Sequence, residues 1–422
     1  MAIQPTKLII TFLALAVICL AGFIMDQISR SVVIMPGTQG IKTELKVYME
    51  NPGKADEAVK SHIGKFREKG ERTGVFSTLW HYSASKFQGA VDSVFAFDIP
   101  GVVKNIADYF KAVGWAIRHH TIYCIIFFII KLAVISIAGG AICRIAALQF
   151  ARGEKPGLTE ALRYSITRFT SFFTAPLAPV GIIIFIGLFI FLLGLMGNIP
   201  RAGELIVGIF VSLALFAGAL IVVVLIGMAA GFNLMFPAVA YDSSDCFDAI
   251  SRSFSYVYAK PWAMVFYTTI AAVYGAICYT FVRFFAFSLL WVTHLFLQLG
   301  LWTENSNGTN KLTAIWPKPE FMKLLGSSST ATTNSTESIA AFLILLFLLA
   351  VVGLVVSFII SFYFSANTII YSLMRHRVDK TALEDVYTYF NEAEIEPAIT
   401  ESQTNQDKPD SQSSSKSQEN SL

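Results

Sequence analysis

The chain alternates long apolar runs with short polar islands. A helix needs about 20 apolar residues to cross a hydrocarbon core of ~30 Å, and six stretches are long enough: residues 8–25, 121–143, 169–196, 205–232, 262–282 and 339–371. None contains Asp or Glu. The pattern predicts an all-α fold, a polytopic transmembrane helix bundle of about six spans, with amphipathic interfacial helices between them. The first run follows Lys7 as a signal peptide would. It stays apolar to Met25 without a small-residue cleavage pattern, so a retained signal anchor over residues 1–25 is expected.

Residues 26–119 form one long island with structure of its own. A turn around Asn51-Pro52-Gly53 and a charged stretch to Arg72 lead to Phe76, Leu79, Trp80, Phe87, Val91 and Val94, which fall near helical spacing. Pro100 suits the first position of a second helix. On that helix Val103, Ile106, Phe110, Val113 and Ile117 form one stripe, and Lys104, Asn105, Asp108 and Lys111 lie on the other face. Such a helix lies on the bilayer surface or packs on a partner helix. The surface is the favoured reading, because the helix runs into the second span through Arg118-His119-His120.

A five-span domain is expected over 120–374, with an outer loop at 299–338 rich in Ser, Thr and Asn. Within it, 284–302 is read as an outer-leaflet interfacial helix rather than a tilted continuation of the fifth span. Asn307-Gly308-Thr309 and Asn334-Ser335-Thr336 match glycosylation acceptors, a match with no meaning in most bacteria. Residues 375–422 are assigned a helix followed by a polar tail expected to be disordered.

Three returns to the same side of the membrane share a form. After Cys143, Phe232 and Asn367, an apolar helix leads through a polar segment to an acidic residue heading an amphipathic stretch: Glu160-Ala161-Leu162, Asp248-Ala249-Ile250 and Glu384-Asp385-Val386. This reads as three hairpins, each closed by a surface helix. In the middle one, "YDSSDCFDAISRSFSYVYAKPW", Asp245 is expected as N-cap, with Asp248 in the first turn where the helix dipole favours negative charge. Phe247, Ile250, Phe254 and Val257 form the apolar face, and Arg252, Ser253 and Ser255 are expected to face water. Pro261 ends the helix and Trp262 marks the interface.

Composition agrees with a membrane solvent. Of 422 residues, 55% are hydrophobic and only 14% charged, which is far too apolar for a soluble chain of this length. A net charge of +3 is too small to argue for a nucleic-acid partner. The placement of basic residues carries more. Lys7, Arg144, Arg152, Lys155, Arg163, Arg168, Arg252, Lys260, Arg375, Arg377 and Lys380 crowd one side, against Arg201, Lys311, Lys318 and Lys323 on the other. Both termini are therefore expected in the cytoplasm and residues 26–119 outside. Of the five cysteines, all but Cys246 lie in apolar runs without CxxC spacing, so neither a disulfide framework nor a zinc site is expected.

Reactive chemistry is hard to find. HExxH, GxSxG, Walker and GxGxxG patterns are missing, and the order Asp242, Asp245, Asp248 lacks a metal-loop pattern. No cofactor, metal or catalytic residue is predicted, and the chain is read as non-enzymatic. His119 and His120 are read as polar anchors at a membrane boundary. The candidate functional residues are Lys131, Asp245, Asp248 and Arg283. Lys131 sits at mid-span, where a lysine costs ~2.5–3.5 kcal/mol, so it faces the bundle, meets an anionic solute or snorkels. Arg283 closes the fifth span. Gly227 and Gly231 satisfy GxxxG and allow close helix approach, within the chain or in a homo-oligomer. Pro176 and Pro179 kink the entrance of the third span.

The motif Asp248-Ala249-Ile250-Ser251-Arg252-Ser253-Phe254, followed by Pro261-Trp262, resembles the elbow of uncharacterised polytopic bacterial membrane proteins. It is more loosely similar to the membrane domain attached to some glycerophosphodiester phosphodiesterases, whose catalytic barrel has no counterpart here. The resemblance implies an inner-membrane bundle. The expectation is a non-enzymatic protein that organises the membrane or scaffolds a membrane-protein partner in contact with lipids. The alternative is a transporter or permease for a small or lipid-like solute, with Lys131 near its cavity.

Overall fold

The computed structural model describes residues 3–37, 40–50, 53–66, 71–200, 203–301, 311–321, 324 and 335–387. Six of its helices are long and apolar enough to cross a membrane: α1 (Pro5–Ile28), α6 (Thr121–Ala151), α9 (Ala178–Met196), α10 (Gly203–Asp242), α12 (Pro261–Gly300) and α14 (Ser335–Asp379). The chain is a polytopic helix bundle. The most apolar stretch of α10 buries none of its residues, and Ile184, Phe185, Leu215 and Phe216 stand exposed on α9 and α10. Surfaces of this kind are stable only against hydrocarbon.

Between α1 and α6 come β1 (Val32–Gly37), β2 (Gly40–Thr43), α2 (Glu44–Glu50), α3 (Ala55–Phe66), β3 (Glu71–Thr73), α4 (Val75–Phe95) and α5 (Ile99–His119). The strands form an antiparallel sheet in the order β2-β1-β3, with Ile34 opposite Thr43 and Val33 opposite Arg72. A purely helical reading of 26–119 is thereby corrected. The run Val32-Val33-Ile34 is β-branched, and Val32 and Val33 are buried. Of the turn expected at 51–53, Gly53 is seen between α2 and α3, while Asn51 and Pro52 lie outside the described residues.

The second helix of the island begins as expected. Asp98 is its N-cap, accepting from the Gly101 amide at 3.0 Å, with Pro100 in the first turn. Its packing departs from the simple surface reading. The face carrying Asp108, Ala112, Trp115 and Ala116 is the buried one, packed on α4, α2 and α6, whereas Val103, Ile106, Phe110 and Ile117 are exposed. The helix therefore does both things: a mixed face grips its partner and the apolar stripe looks outward.

At the other end of the spans lie α7 (Leu158–Thr167), α8 (Phe169–Thr174) and α11 (Cys246–Ala259). We call this the elbow end, and the end carrying residues 29–120 the far end. The third span starts later than the hydropathy suggests, because residues 175–177 separate α8 from α9 around Pro176 and Pro179. The fifth span runs the other way. Residues 284–300 continue α12 without interruption instead of forming a separate interfacial helix. No proline breaks the run, and Leu290 packs with Leu312, Trp316 and Leu348 from α13 (Lys311–Ile315), the segment after it and α14. At 1.5 Å per residue α12 is ~60 Å long, about twice the hydrocarbon thickness. The acceptor asparagines 307 and 334 and the polar tail from 391 lie outside the described residues.

Helices meet through glycines seated under phenylalanine rings. A Cβ at Gly139 would stand 2.6 Å from the Phe364 ring, at Gly275 2.5 Å from Phe362, and at Gly353 2.8 Å from Phe12. Gly227 and Gly231 form one such seat. Their would-be Cβ atoms lie 2.9 and 3.3 Å from Phe254 of α11, so the GxxxG pair serves intrachain packing.

Candidate functional site

A dense polar cluster lies at the elbow end, where α6, α10 and α14 terminate. Each of the three leaves its helix through a residue of positive φ: Gly153 at 72°, Ser243 at 54° and Lys380 at 60°. A left-handed residue is the common way to end a helix. Its recurrence gives the three-hairpin unit a shared geometric stop. After the first two stops the chain restarts as α7 and α11. After the third, residues 380–387 are not helical. Most of the expected third surface helix, from residue 388 onward, lies outside the described residues; in the segment before it, side chains from the bundle take up backbone carbonyls. Tyr241 donates its hydroxyl to Leu383 O, Arg375 binds Asp385 O at 2.6 Å, Arg144 binds Tyr387 O at 2.8 Å, and Arg152 reaches Val386 O. Val386 is buried in the main core.

Asp242, the last residue of α10, is the hub. Its carboxylate accepts from the Tyr371 hydroxyl and pairs with Arg252 at 3.3 Å and Arg375 at 3.2 Å. Arg375 also pairs with Asp385 at 3.1 Å, and Arg252 with Asp248 at 3.0 Å. The Tyr371 ring makes tilted contacts with Tyr241 and Tyr256, ring centroids 5.9 and 5.5 Å apart. The Tyr256 hydroxyl donates to Asp379. Burial, then the neighbouring Asp379 carboxylate, raise the Tyr256 phenol above its usual range, which keeps it a neutral donor. Burial opposes the charge on Arg252, but its hydrogen bonds to Asp248 and the neighbouring Asp242 carboxylate outweigh that and hold the guanidinium above its usual range. Every charged group in this set is held by a partner of opposite sign or by a phenol. Such an arrangement clamps helix ends together, with all four carboxylates, Asp242, Asp248, Asp379 and Asp385, engaged by a guanidinium or a phenol.

The candidate residues fall into different surroundings. Asp248 belongs to the clamp through Arg252. Asp245 occupies the N-cap position in extended geometry but is exposed and makes no capping hydrogen bond. Ser253 is fully buried, donating to Ala249 O, and does not face water as expected, whereas Phe247 of the expected apolar face is exposed. Lys131 stands exposed on α6 and lines neither the groove between α12 and α14 nor the cavity beside Arg144 and Tyr164. Arg283 is far from the clamp. It is buried against α4, donating to Gln88, to Tyr279 OH at 2.9 Å and to Phe321 O at 3.1 Å, with its guanidinium 5.2 Å above the Phe321 ring.

Two charged groups escape a sequence reading. Lys7, which hydropathy puts at the water boundary, is fully buried inside α1, donating to Gln149 at 3.0 Å and Ser365 at 3.4 Å. The facing strip of α14 carries Ser357, Ser361, Ser365, Thr368 and Ser372, all buried, at helical spacing. That spacing was the available signal. Asp26 is the second. Its carboxylate caps the N-terminus of α4 from 50 residues away, accepting from Phe76 N at 3.0 Å and from Ser77 N at 2.9 Å, and also binds Tyr123 OH at 2.6 Å.

His120 lies 3.4 Å from the buried Glu44 carboxylate and 3.2 Å from Ser31 Oγ, and Arg118 pairs with Asp56. Together these anchor the sheet and α2–α3 to the start of α6. Among the described residues no group of three or more His, Cys, Asp or Glu stands where it could hold a metal ion. Two larger spaces remain. One, of about 450 Å³, lies beside Arg144, Glu160, Arg163 and Tyr164 at the elbow end. The other, of about 660 Å³, is an apolar groove between α12 and α14. No family model, no curated protein and no solved structure matches this chain.

Proposed function

We propose that the protein is a non-enzymatic organiser of the bacterial inner membrane, a six-span scaffold that grips the bilayer with surface helices at both ends and presents them to lipids and membrane-protein partners. The observation that carries this reading is the α4–α5 hairpin. It is tied to three spans, by Asp26 of α1, by the Phe76–Phe127 ring contact with α6 and by Arg283 of α12, while the Val103, Ile106, Phe110 and Ile117 stripe of α5 is left exposed. A rigidly mounted helix with an outward apolar stripe and lysines at its flanks suits the headgroup boundary of a membrane. At the elbow end, Phe247 and Trp262 stand out from α11 and α12 in the same way.

The excess of basic residues favours a cytoplasmic elbow end, with both termini on that side. The transporter reading rests on Lys131 reaching a cavity, and its exposed position on α6 gives that reading no support. The test is reconstitution of the full chain into phosphatidylethanolamine–phosphatidylglycerol vesicles. The expected result is slowed lipid diffusion that is lost when Val103, Ile106 and Phe110 are replaced by Ser, with no solute flux. Unchanged lipid mobility, or uptake of an entrapped-dye quencher or small solute, would sink the proposal.

A further inference from the structure

The apolar groove between α12 and α14 is a shaped surface rather than a featureless span face. Tyr267, Tyr274 and Phe281 line it from α12, and Phe358, Ala366 and Leu373 from α14. The two helices meet here where Phe362 fits over Gly275 and against the Tyr274 ring. Tyr274 and Phe281 are largely exposed on the outer side while Phe358 closes the floor, so the groove is open laterally toward the surrounding hydrocarbon. From Tyr267 to Val282 it follows α12 for ~22 Å, longer than the ~15 Å of one hydrocarbon leaflet. Its volume of about 660 Å³ lies in the range of specific ligand sites.

The two ends of the groove differ. The Phe281 end is apolar. At the elbow end Arg377 donates to the Tyr267 hydroxyl at 3.2 Å, so a guanidinium is fixed at the mouth. Arg377 is exposed, as are Lys260 and Lys380 at the same end of the two helices. An apolar trough longer than one leaflet, with positive charge at its interfacial mouth, is complementary to one occupant: a chain-bearing molecule with an anionic headgroup.

We propose that this groove holds an anionic glycerophospholipid, one acyl chain along α12 and α14 and the phosphate at Arg377. The site stands independently of the organising role. The experiment is native mass spectrometry of the full chain released from nanodiscs containing equal phosphatidylglycerol and phosphatidylcholine of identical acyl chains. Phosphatidylglycerol should be retained over phosphatidylcholine. Arg377→Gln should lower that preference about fivefold, the effect of one basic residue at an anionic headgroup. Ala366→Trp, which fills the trough, should abolish retention of either lipid. Should Ala366→Trp compromise folding, a photo-crosslinker at position 274 of the otherwise native chain should give a phosphatidylglycerol adduct. Equal retention of the two lipids, a preference indifferent to Arg377, or a crosslink from position 274 to protein instead of lipid would each overturn the proposal.

Discussion

Single carboxylates do an unusual share of the work here, because so few of them are near the hydrocarbon. Asp26 satisfies two amides at the start of α4 and the Tyr123 hydroxyl. Gly74 makes room for it, since a Cβ there would overlap the carboxyl group at 1.8 Å. Asp26→Ala should cost about 1–2 kcal/mol for the lost cap and leave the Tyr123 hydroxyl unpaired. Hydrogen exchange should then show the first turn of α4 unprotected while the spans stay intact. Asp242 is a heavier case. Its side chain and that of Arg375 are about nine-tenths covered, at 8% and 10% exposure. Removing Asp242 leaves Arg375 with Asp385 and Arg252 with Asp248 and strands the buried Tyr371 hydroxyl, a cost of about 1–3 kcal/mol. Asp242→Ala should therefore lower the thermal midpoint in detergent and release residues 380–387 to limited proteolysis; Asp245→Ala, at an exposed carboxylate without a cap bond, should do neither.

At the scale of elements, helix contacts divide into glycine seats within the spans and ion pairs outside them. Gly140 packs α6 against α7 and α8: a Cβ there would lie 2.5 Å from Ser165 Oγ and 2.7 Å from the Phe172 ring, both fully buried. Gly140→Ala should cost about 1–3 kcal/mol through overpacking, read as a lower melting temperature, whereas Gly187→Ala, with open space around it, should be neutral. The α4–α5 hairpin depends on charge. Lys86 pairs with Asp108 at 2.8 Å, and Lys111 stands 3.6 Å away. The hydrogen bond from Lys86 holds the Asp108 carboxyl below its ordinary range, and the same bond holds Lys86 above its own. The Asp108 contribution is thus complete above the unfolded carboxylate value of about 3.9 and lost as pH falls through the lower folded value. That of Lys86 is complete below about 10.4 and lost as pH rises past the raised folded value. Amide protection of α4 and α5 should hold between these limits and fall outside both, and Asp108→Asn should remove the dependence.

For the whole molecule, the two ends of the spans carry different structures, and their sidedness is open to direct measurement. In a chain freed of its own cysteines, Trp80→Cys and Glu320→Cys should react with an impermeant thiol reagent from one face of sealed vesicles and Asp245→Cys from the other. Labelling of 80 and 245 from the same face would reverse the topology on which the organising role rests.

The six spans, the helix over α5 with Pro100 in its first turn, the elbow helix α11 and its stop before Pro261 were all legible in the sequence. Each follows from hydropathy period, capping chemistry or proline geometry acting within about twenty residues, and such effects do not need the rest of the chain. The clamp, the Asp26 cap, the buried Lys7 and the unbroken α12 were not legible, because their partners are supplied from further along the chain; the sheet, by contrast, had a local signal in the β-branched run Val32-Val33-Ile34 beside its partner strand β2. Asp242 meets Arg375 across 133 positions and Lys7 meets Ser365 across 358. A third elbow helix was expected from the same local pattern that produced the first two. Its body lies outside the described residues, and in the segment leading to it Tyr241, Arg375 and Arg144 take the carbonyls of Leu383, Asp385 and Tyr387. Local sequence thus determined which segments enter hydrocarbon, since that choice is set by the solvent each run of side chains prefers. Only the folded bundle determined which polar groups are paired, since a buried charge is stable wherever the assembled helices bring it a partner.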